Sequence, residues 1–249
     1  MTIPLLSPFP GKPSVAFDAV DTWVFDLDNT LYPAHHDLWF QIDARMKGYI
    51  SDLLGIPPDD AFRIQKEYYR RYGTSLRGLM IEHGVEPDAF LAHVHDVDLS
   101  GLDASPRLAA AIEALPGAKI VYTNGSERHA RNVLEKLGID AHFAAVHDIV
   151  AAEFHPKPTE EAYLRFLRAH GVDPTRSAMF EDLARNLEVP HRLGMVTVLV
   201  VPPDETIAAR ESWEFEGRED AYVDHITEDL AGFLETVART APPPVSEQD

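Results

Sequence analysis

From about Asp21 onward, short apolar runs alternate with segments of helical periodicity, and this alternation restricts the chain to a parallel sheet covered by helices. The runs are Thr22 to Phe25, Ala118 to Thr123, Ala144 to Val146, Ala178 to Phe180 and Met195 to Val201, with a weaker one around Tyr222-Val223. Helical patterns fall near Pro106 to Leu115, Glu127 to Leu137, Thr159 to His170, Leu183 to Leu193 and Thr227 to Val237. The expected fold is α/β, a Rossmann-like parallel sheet flanked by helices.

One interval breaks the rhythm. Between Tyr32 and about Ser105 only helical periodicity is visible, with Leu38, Ile42, Met46 and Ile50 spaced four apart and stops such as Gly55-Ile56-Pro57-Pro58. The reading is a helical cap inserted after the first core strand. The expected boundaries are a flexible lead-in over 1–19, an α/β core over 20–32 and 105–238, the cap over 33–104, and a disordered proline-rich tail over 239–249.

The first run ends in Asp26-Leu27-Asp28-Asn29-Thr30. Residues i and i+2 of a strand share a face, so both carboxylates would leave the sheet side by side at its C-terminal edge, where open α/β sheets bind ligands. One carboxylate can attack phosphorus while a second moves a proton. An acidic strand-to-turn exit explains the same residues more plainly.

Three further motifs fall at strand ends. Thr123-Asn124-Gly125-Ser126 offers a hydroxyl and backbone N–H groups just before a helix, as either an anion site or an ordinary N-cap. His155-Pro156-Lys157-Pro158 stiffens the backbone around an ammonium. Glu181-Asp182 places adjacent carboxylates after an apolar strand, and their repulsion is relieved by a nearby cation.

In this order the four motifs resemble the haloacid dehalogenase superfamily of phosphohydrolases over about residues 20–235. The resemblance implies that Asp26 is the nucleophile and Asp28 the general acid/base. It implies Mg²⁺ held by Asp26, the Asp28 carbonyl and Asp182, with Thr123 and Lys157 on the transferring phosphoryl group and Asn124 and Gly125 beside them. Glu181 is left open between metal ligand and supporting residue, and Asn186 between carboxylate orientation and a solvated face. The presence of both Asp28 and Asp182 argues for phosphatase over dehalogenase chemistry.

The strings FDLDNTLYP, YYRRYGTSLRGL and TNGSERHARNVLEKLGI are similar to the pyrimidine 5′-nucleotidase branch. That likeness implies a pyrimidine nucleoside monophosphate as substrate, with another small phosphomonoester such as a sugar phosphate or phosphoglycolate as the alternative. A phosphate-binding protein without activity is the reading from a different class. Arg63, Lys66, Arg70, Arg71 and Arg77 gather positive charge in the cap, and Arg77 is singled out as a substrate contact. Tyr68, Tyr69 and Tyr72 could stack a base or simply pack a core.

The net charge of −19 opposes duplex nucleic acid and anionic membrane as partners. No run reaches the ~18 apolar residues of a membrane span, and the absence of cysteine fits a reducing cytoplasm. The twelve histidines, His93, His95, His142 and His147 among them, show no zinc spacing and read as structural or surface residues. His155 stands out only because it lies beside Lys157.

Overall fold

The computed structural model describes residues 16–32, 38–202 and 216–240. Six strands form one parallel sheet: β1 (Thr22–Phe25), β2 (Ala118–Tyr122), β3 (Ala145–His147), β4 (Ser177–Glu181), β5 (Val196–Val200) and β6 (His225–Thr227). Their spatial order is β3-β2-β1-β4-β5-β6. The central strand β1 pairs Phe25 with Val121 on one side and with Phe180 on the other. The chain therefore reverses its direction of winding at β1, and a crevice opens beyond the C-terminal ends of β1, β2 and β4.

The central strands are buried on both faces because helices cover each side. Nine α-helices occur among the described residues: α1 (Leu38–Leu54), α2 (Pro58–Tyr72), α3 (Ser75–His83), α4 (Pro87–Val94), α5 (Pro106–Glu113), α6 (Glu127–Leu137), α7 (Glu160–His170), α8 (Glu188–Leu193) and α9 (Leu230–Thr240). One face of the sheet packs Trp23, Phe25, Val121 and Phe180 against α5, α6 and α9. Phe25 stacks on Phe180 with centroids 4.7 Å apart, a pairing worth about 0.5–1.5 kcal/mol beyond area burial. The other face packs Val24, Tyr122, Met179 and Leu199 against Tyr163 and Phe166 of α7.

Helices α1 to α4 lie between β1 and α5 in sequence and bury a separate cluster that includes Ile50, Leu79, Phe90 and Val94. The four-residue spacing of α1 buries Leu38, Ile42 and Ile50. Gly73 and Gly84 end α2 and α3 in the left-handed conformation, at φ +87° and +64°, as helix C-terminal glycines commonly do. No helix among the described residues is long and apolar enough to cross a membrane.

Several boundaries differ from those expected of the sequence. Phe17 falls within the expected lead-in, yet it is buried and lies 5.9 Å from Trp23 in a stacked arrangement. The rest of the lead-in up to residue 15, and the tail from 241, lie outside the described residues. The last strand begins at His225 because Tyr222 and Asp224 are used to anchor β5: Thr197 Oγ1 donates to the Tyr222 carbonyl, and Asp224 Oδ2 accepts from the Thr197 amide. Thr227 belongs to that strand, and α9 starts only after Asp229, whose carboxylate caps the Gly232 amide. The pattern from Leu183 to Leu193 divides into a 3₁₀ turn over Ala184–Leu187 followed by the short α8.

Candidate active site

The four motifs converge where the sheet ends. Asp26 follows β1, Thr123 follows β2, and Glu181 and Asp182 close β4. Lys157 arrives on the loop between β3 and α7, and its peptide bond to Pro158 is cis. Its ammonium is buried and donates to Asp26 Oδ1 at 2.6 Å, Glu181 Oε1 at 2.7 Å and the Tyr122 carbonyl at 2.9 Å. Burial alone would lower the Lys157 pKa, but the two carboxylates more than offset it and raise the value. Lysine is therefore charged here, locked between strands β1 and β4.

Asp26 is only 7 % exposed. Burial pushes its pKa well above the ordinary carboxylate range; Lys157 opposes the rise, while Glu181, Asp182 and Asp28 add to it. Carboxylate oxygens of Asp26, Glu181 and Asp182 all lie within 4.8 Å of one another. Three buried carboxylates around a single ammonium leave an excess of negative charge that a hard divalent cation bound by oxygen ligands would neutralise. The donor set therefore fits Mg²⁺ in chemistry. The structure also separates the roles of the adjacent pair: Glu181 Oε1 accepts from Lys157 and from Asn186 Nδ2, and its Oε2 accepts from the Leu183 amide. Glu181 thus orients the lysine, and its carboxylate still lies within 4.8 Å of those of Asp26 and Asp182. Asn186 is correspondingly buried and bound to Glu181, not on a solvated face.

Asp28 is held apart from this cluster. Its Oδ1 accepts from the Tyr32 hydroxyl at 2.5 Å and lies 3.1 Å from His129 Nε2. Burial raises its pKa, but the His129 charge, the His129 and Tyr32 hydrogen bonds and His95 more than reverse this, so the carboxyl is below its ordinary value. His95, just beyond α4, stacks on His129 with centroids 4.4 Å apart, and its Nδ1 lies 2.9 Å from Ser126 Oγ. Burial, then the His129 charge, holds the His95 pKa down to about 3.

The Thr123 loop braces the lysine loop. Thr123 is buried, and its hydroxyl accepts from the Gly125 amide at 2.9 Å. The Asn124 side chain holds both backbone groups of Lys157, donating to its carbonyl and accepting from its amide. That side chain is thus a strut between loops, and Asn124 also lines the cavity at the sheet edge.

Asp26, Asp28, Thr123, Asn124, Gly125, Lys157 and Asp182 all line one cavity of about 150 Å³ between the sheet edge and helices α1 to α4. Arg77 does not line it. Its guanidinium donates to the Phe154 carbonyl, so it ties α3 to the loop ahead of Lys157. Beside it, Gly73 abuts the same loop, where a Cβ would fall 2.7 Å from Pro156 Cγ. Of the other cap cations, Lys66 reaches the cavity, paired with Asp43 at 3.0 Å. Arg63, Arg70 and Arg71 line a separate groove along α2. Tyr69 faces the cavity, whereas Tyr68 contacts His83 and Tyr72 bonds to Glu82.

His129 and His95 stand against Asp28 and Ser126, contacts that the motifs alone do not reveal. His129 occupies the same helical face as Val133 and Leu137, both buried. A histidine on an apolar stripe just after the Thr123 motif is the signal in the sequence that marks it.

The fold recurs in solved structures. L-2-haloacid dehalogenase from Xanthobacter autotrophicus is 18% identical with a TM-score of 0.55, over 89% of this chain and 100% of that one. A HAD phosphatase from Thermococcus onnurineus is also 18% identical, with a TM-score of 0.56, over 86% of this chain and 96% of that one. In sequence, Phosphate metabolism protein 8 of Saccharomyces cerevisiae is 26% identical over 152 residues, 56% of this chain and 46% of that protein. The chain thus spans about half the length of this curated relative. Residues 20–194 match the model of the haloacid dehalogenase-like hydrolases, and with the strand-end motifs assembled inside that span, the chain belongs to that hydrolase family.

Proposed function

We propose that this hydrolase is a Mg²⁺-dependent phosphomonoesterase of the cytoplasm, working through an aspartyl-phosphate on Asp26 and acting on pyrimidine nucleoside 5′-monophosphates. The observation that carries the reading is the division of two neighbouring carboxylates. Asp26 sits against Lys157 and the acidic cluster, while Asp28 is held by His129 and Tyr32. Such a pair supplies a nucleophile and a separate proton carrier.

An Asp26 oxygen would attack phosphorus as the bond to the leaving oxygen breaks, and Asp28 would give that oxygen its proton. Water would then attack the phosphorus of the aspartyl-phosphate, yielding a proton to Asp28 and releasing inorganic phosphate and the free Asp26 carboxylate. At rest Asp28 is held ionised; an approaching phosphate dianion raises its proton affinity, and the proton Asp28 then takes up from solvent is the one it gives to the leaving oxygen. Lys157 and the Thr123 loop would position the phosphoryl oxygens and carry part of their charge. A bound Mg²⁺, held by Asp26, Asp182 and the Asp28 carbonyl, would supply further charge neutralisation.

Phosphatase chemistry is favoured over carbon–halogen hydrolysis because the buried Asp26, Glu181 and Asp182 cluster calls for a cation. The name of the yeast relative, a phosphate metabolism protein, points the same way. The largely apolar cavity wall, with Trp39, Met46 and Phe90, suits a base better than a sugar. A phosphate-release panel over nucleotides, sugar phosphates and phosphoglycolate, with Mg²⁺ or chelator, tests the reading. UMP or CMP should lead in kcat/KM, chelation should abolish release, and Asp26→Asn should lower it by at least about 1,000-fold without unfolding the protein. A sugar phosphate turned over faster than every nucleotide would reject the substrate class.

A further inference from the structure

Three residues that line the cavity carry a buried side-chain oxygen with no hydrogen-bond partner among the described residues: Asn29 Oδ1, Gln65 Oε1 and Asn186 Oδ1. Asn29 and Asn186 stand at the sheet edge beside the reacting groups. Gln65 comes from α2, across the cavity on the side where the group beyond the phosphate must lie.

The orientation of Gln65 is fixed by chemistry. Its Nε2 donates to Asp43 Oδ1 at 2.9 Å, and the same oxygen accepts from Lys66 Nζ at 3.0 Å. A carboxylate beside an ammonium can only accept, so the amide NH₂ must face Asp43 and the carbonyl oxygen must turn away. The backbone is pinned as well, since Ser75 Oγ donates to the Gln65 carbonyl at 3.0 Å. The residue is only 2% exposed. A rigid, buried acceptor is rarely left without a partner in native proteins, and a ligand or an ordered water completes it.

Its surroundings limit that ligand. Trp39, Met46, Phe90 and Leu91 give the cavity an apolar wall, and Tyr69 adds a ring with the Arg185 guanidinium over it, 4.7 Å from its centroid. We propose that Gln65 is the specificity-determining residue of this site, its Oε1 accepting from an N–H donor on the edge of a flat, largely apolar leaving group. A hydroxyl-rich leaving group would place several polar atoms against the apolar wall unpaired. This inference rests on the phosphomonoesterase reading and narrows its substrate to a base with a donor edge.

The test pairs each nucleotide with an analogue lacking the donor: UMP with 3-methyl-UMP, and CMP with N4,N4-dimethyl-CMP. The readout is the ratio of kcat/KM within each pair, measured for wild type and Gln65→Met. The ratio is internal to each enzyme, so partial misfolding cancels. In wild type at least one pair should show a ratio of about 10 or more, and in Gln65→Met that ratio should fall to within about three of unity. Methionine is close to glutamine in size, so discrimination that survives in Gln65→Met is steric and overturns the assignment while leaving the nucleotide reading intact. The absence of any discrimination in wild type, with UMP or CMP still the best substrates, has the same meaning. If neither nucleotide is hydrolysed while another phosphomonoester is, the nucleotide reading itself fails and the assignment falls with it.

Discussion

His129 stands between two partners, its ring stacked on His95 from the helical insert and its Nε2 3.1 Å from Asp28 Oδ1. Asp28, the proton carrier in the proposed mechanism, is thus oriented by a residue that the insert itself covers. Because Asp28 also receives the Tyr32 hydroxyl, its carboxylate has little rotational freedom.

Replacing His129 therefore acts on rate more than on binding. His129→Ala should lower kcat by about 10- to 100-fold, with KM moving less than about three-fold. His129→Gln keeps an N–H donor near Asp28 and should recover part of the loss. Steady-state kinetics on the best phosphomonoester decide the matter: a pure KM effect, or no recovery with glutamine, would reduce His129 to a packing residue.

Lys157 joins stability to activity. Lys157→Met leaves Asp26 and Glu181 buried without their shared cation, and loss of one partner from a buried ion pair typically destabilises by about 3–5 kcal/mol. Urea denaturation should show that loss in the single variant and a smaller one in Lys157→Met combined with Glu181→Gln. Equal destabilisation of the two would mean that the ion pairs contribute little to folding.

The metal dependence should distinguish the adjacent acids. With both Glu181 oxygens engaged by Lys157, Asn186 and the Leu183 amide, Glu181→Gln should leave the half-activating Mg²⁺ concentration within about three-fold of wild type. Asp182→Asn should raise it about 10-fold or more. The reverse order would make Glu181 the ligand.

A pH effect on stability is expected at the end of β3. Burial, then the charge of His170, lowers the His147 pKa from 6.5 to about 4. A group that refuses its proton when folded stabilises the protein fully above its unfolded value, and that contribution is lost as pH falls from about 6.5 towards 4. Thermal melts should show a lower Tm at about pH 4.5 than at pH 7, and a smaller drop in His147→Gln. An identical drop in the variant would assign the acid sensitivity to other groups.

The parts of the site written into strand ends are legible in the sequence, because β1, β2 and β4 carry Asp26, Thr123 and Glu181-Asp182 to the same edge whatever the loops do. Residues that depend on tertiary packing are not. Arg77 resembles a substrate contact by its charge, but a guanidinium can equally bind a carbonyl, and only the approach of the Phe154 loop decides which. Gln65 carries no signal of its own, since its significance comes from Asp43 one helix away. The apolar pair Tyr222-Val223 marks the last strand too early because side-chain anchoring to Thr197 takes priority there over the sheet ladder.

Gly73 ends α2 with φ +87°, and a side chain there would meet Pro156 at 2.7 Å, next to the lysine that neutralises Asp26. Any attempt to change substrate range by grafting helices α1 to α4 from a relative would move this seam as well. A graft bringing a larger residue to position 73 would press on the loop carrying Lys157 and slow the chemistry for every substrate. Helix α2 and the lysine loop are therefore coupled across this seam, and a working chimera is expected to need the loop from Glu153 to Pro158 along with the helices.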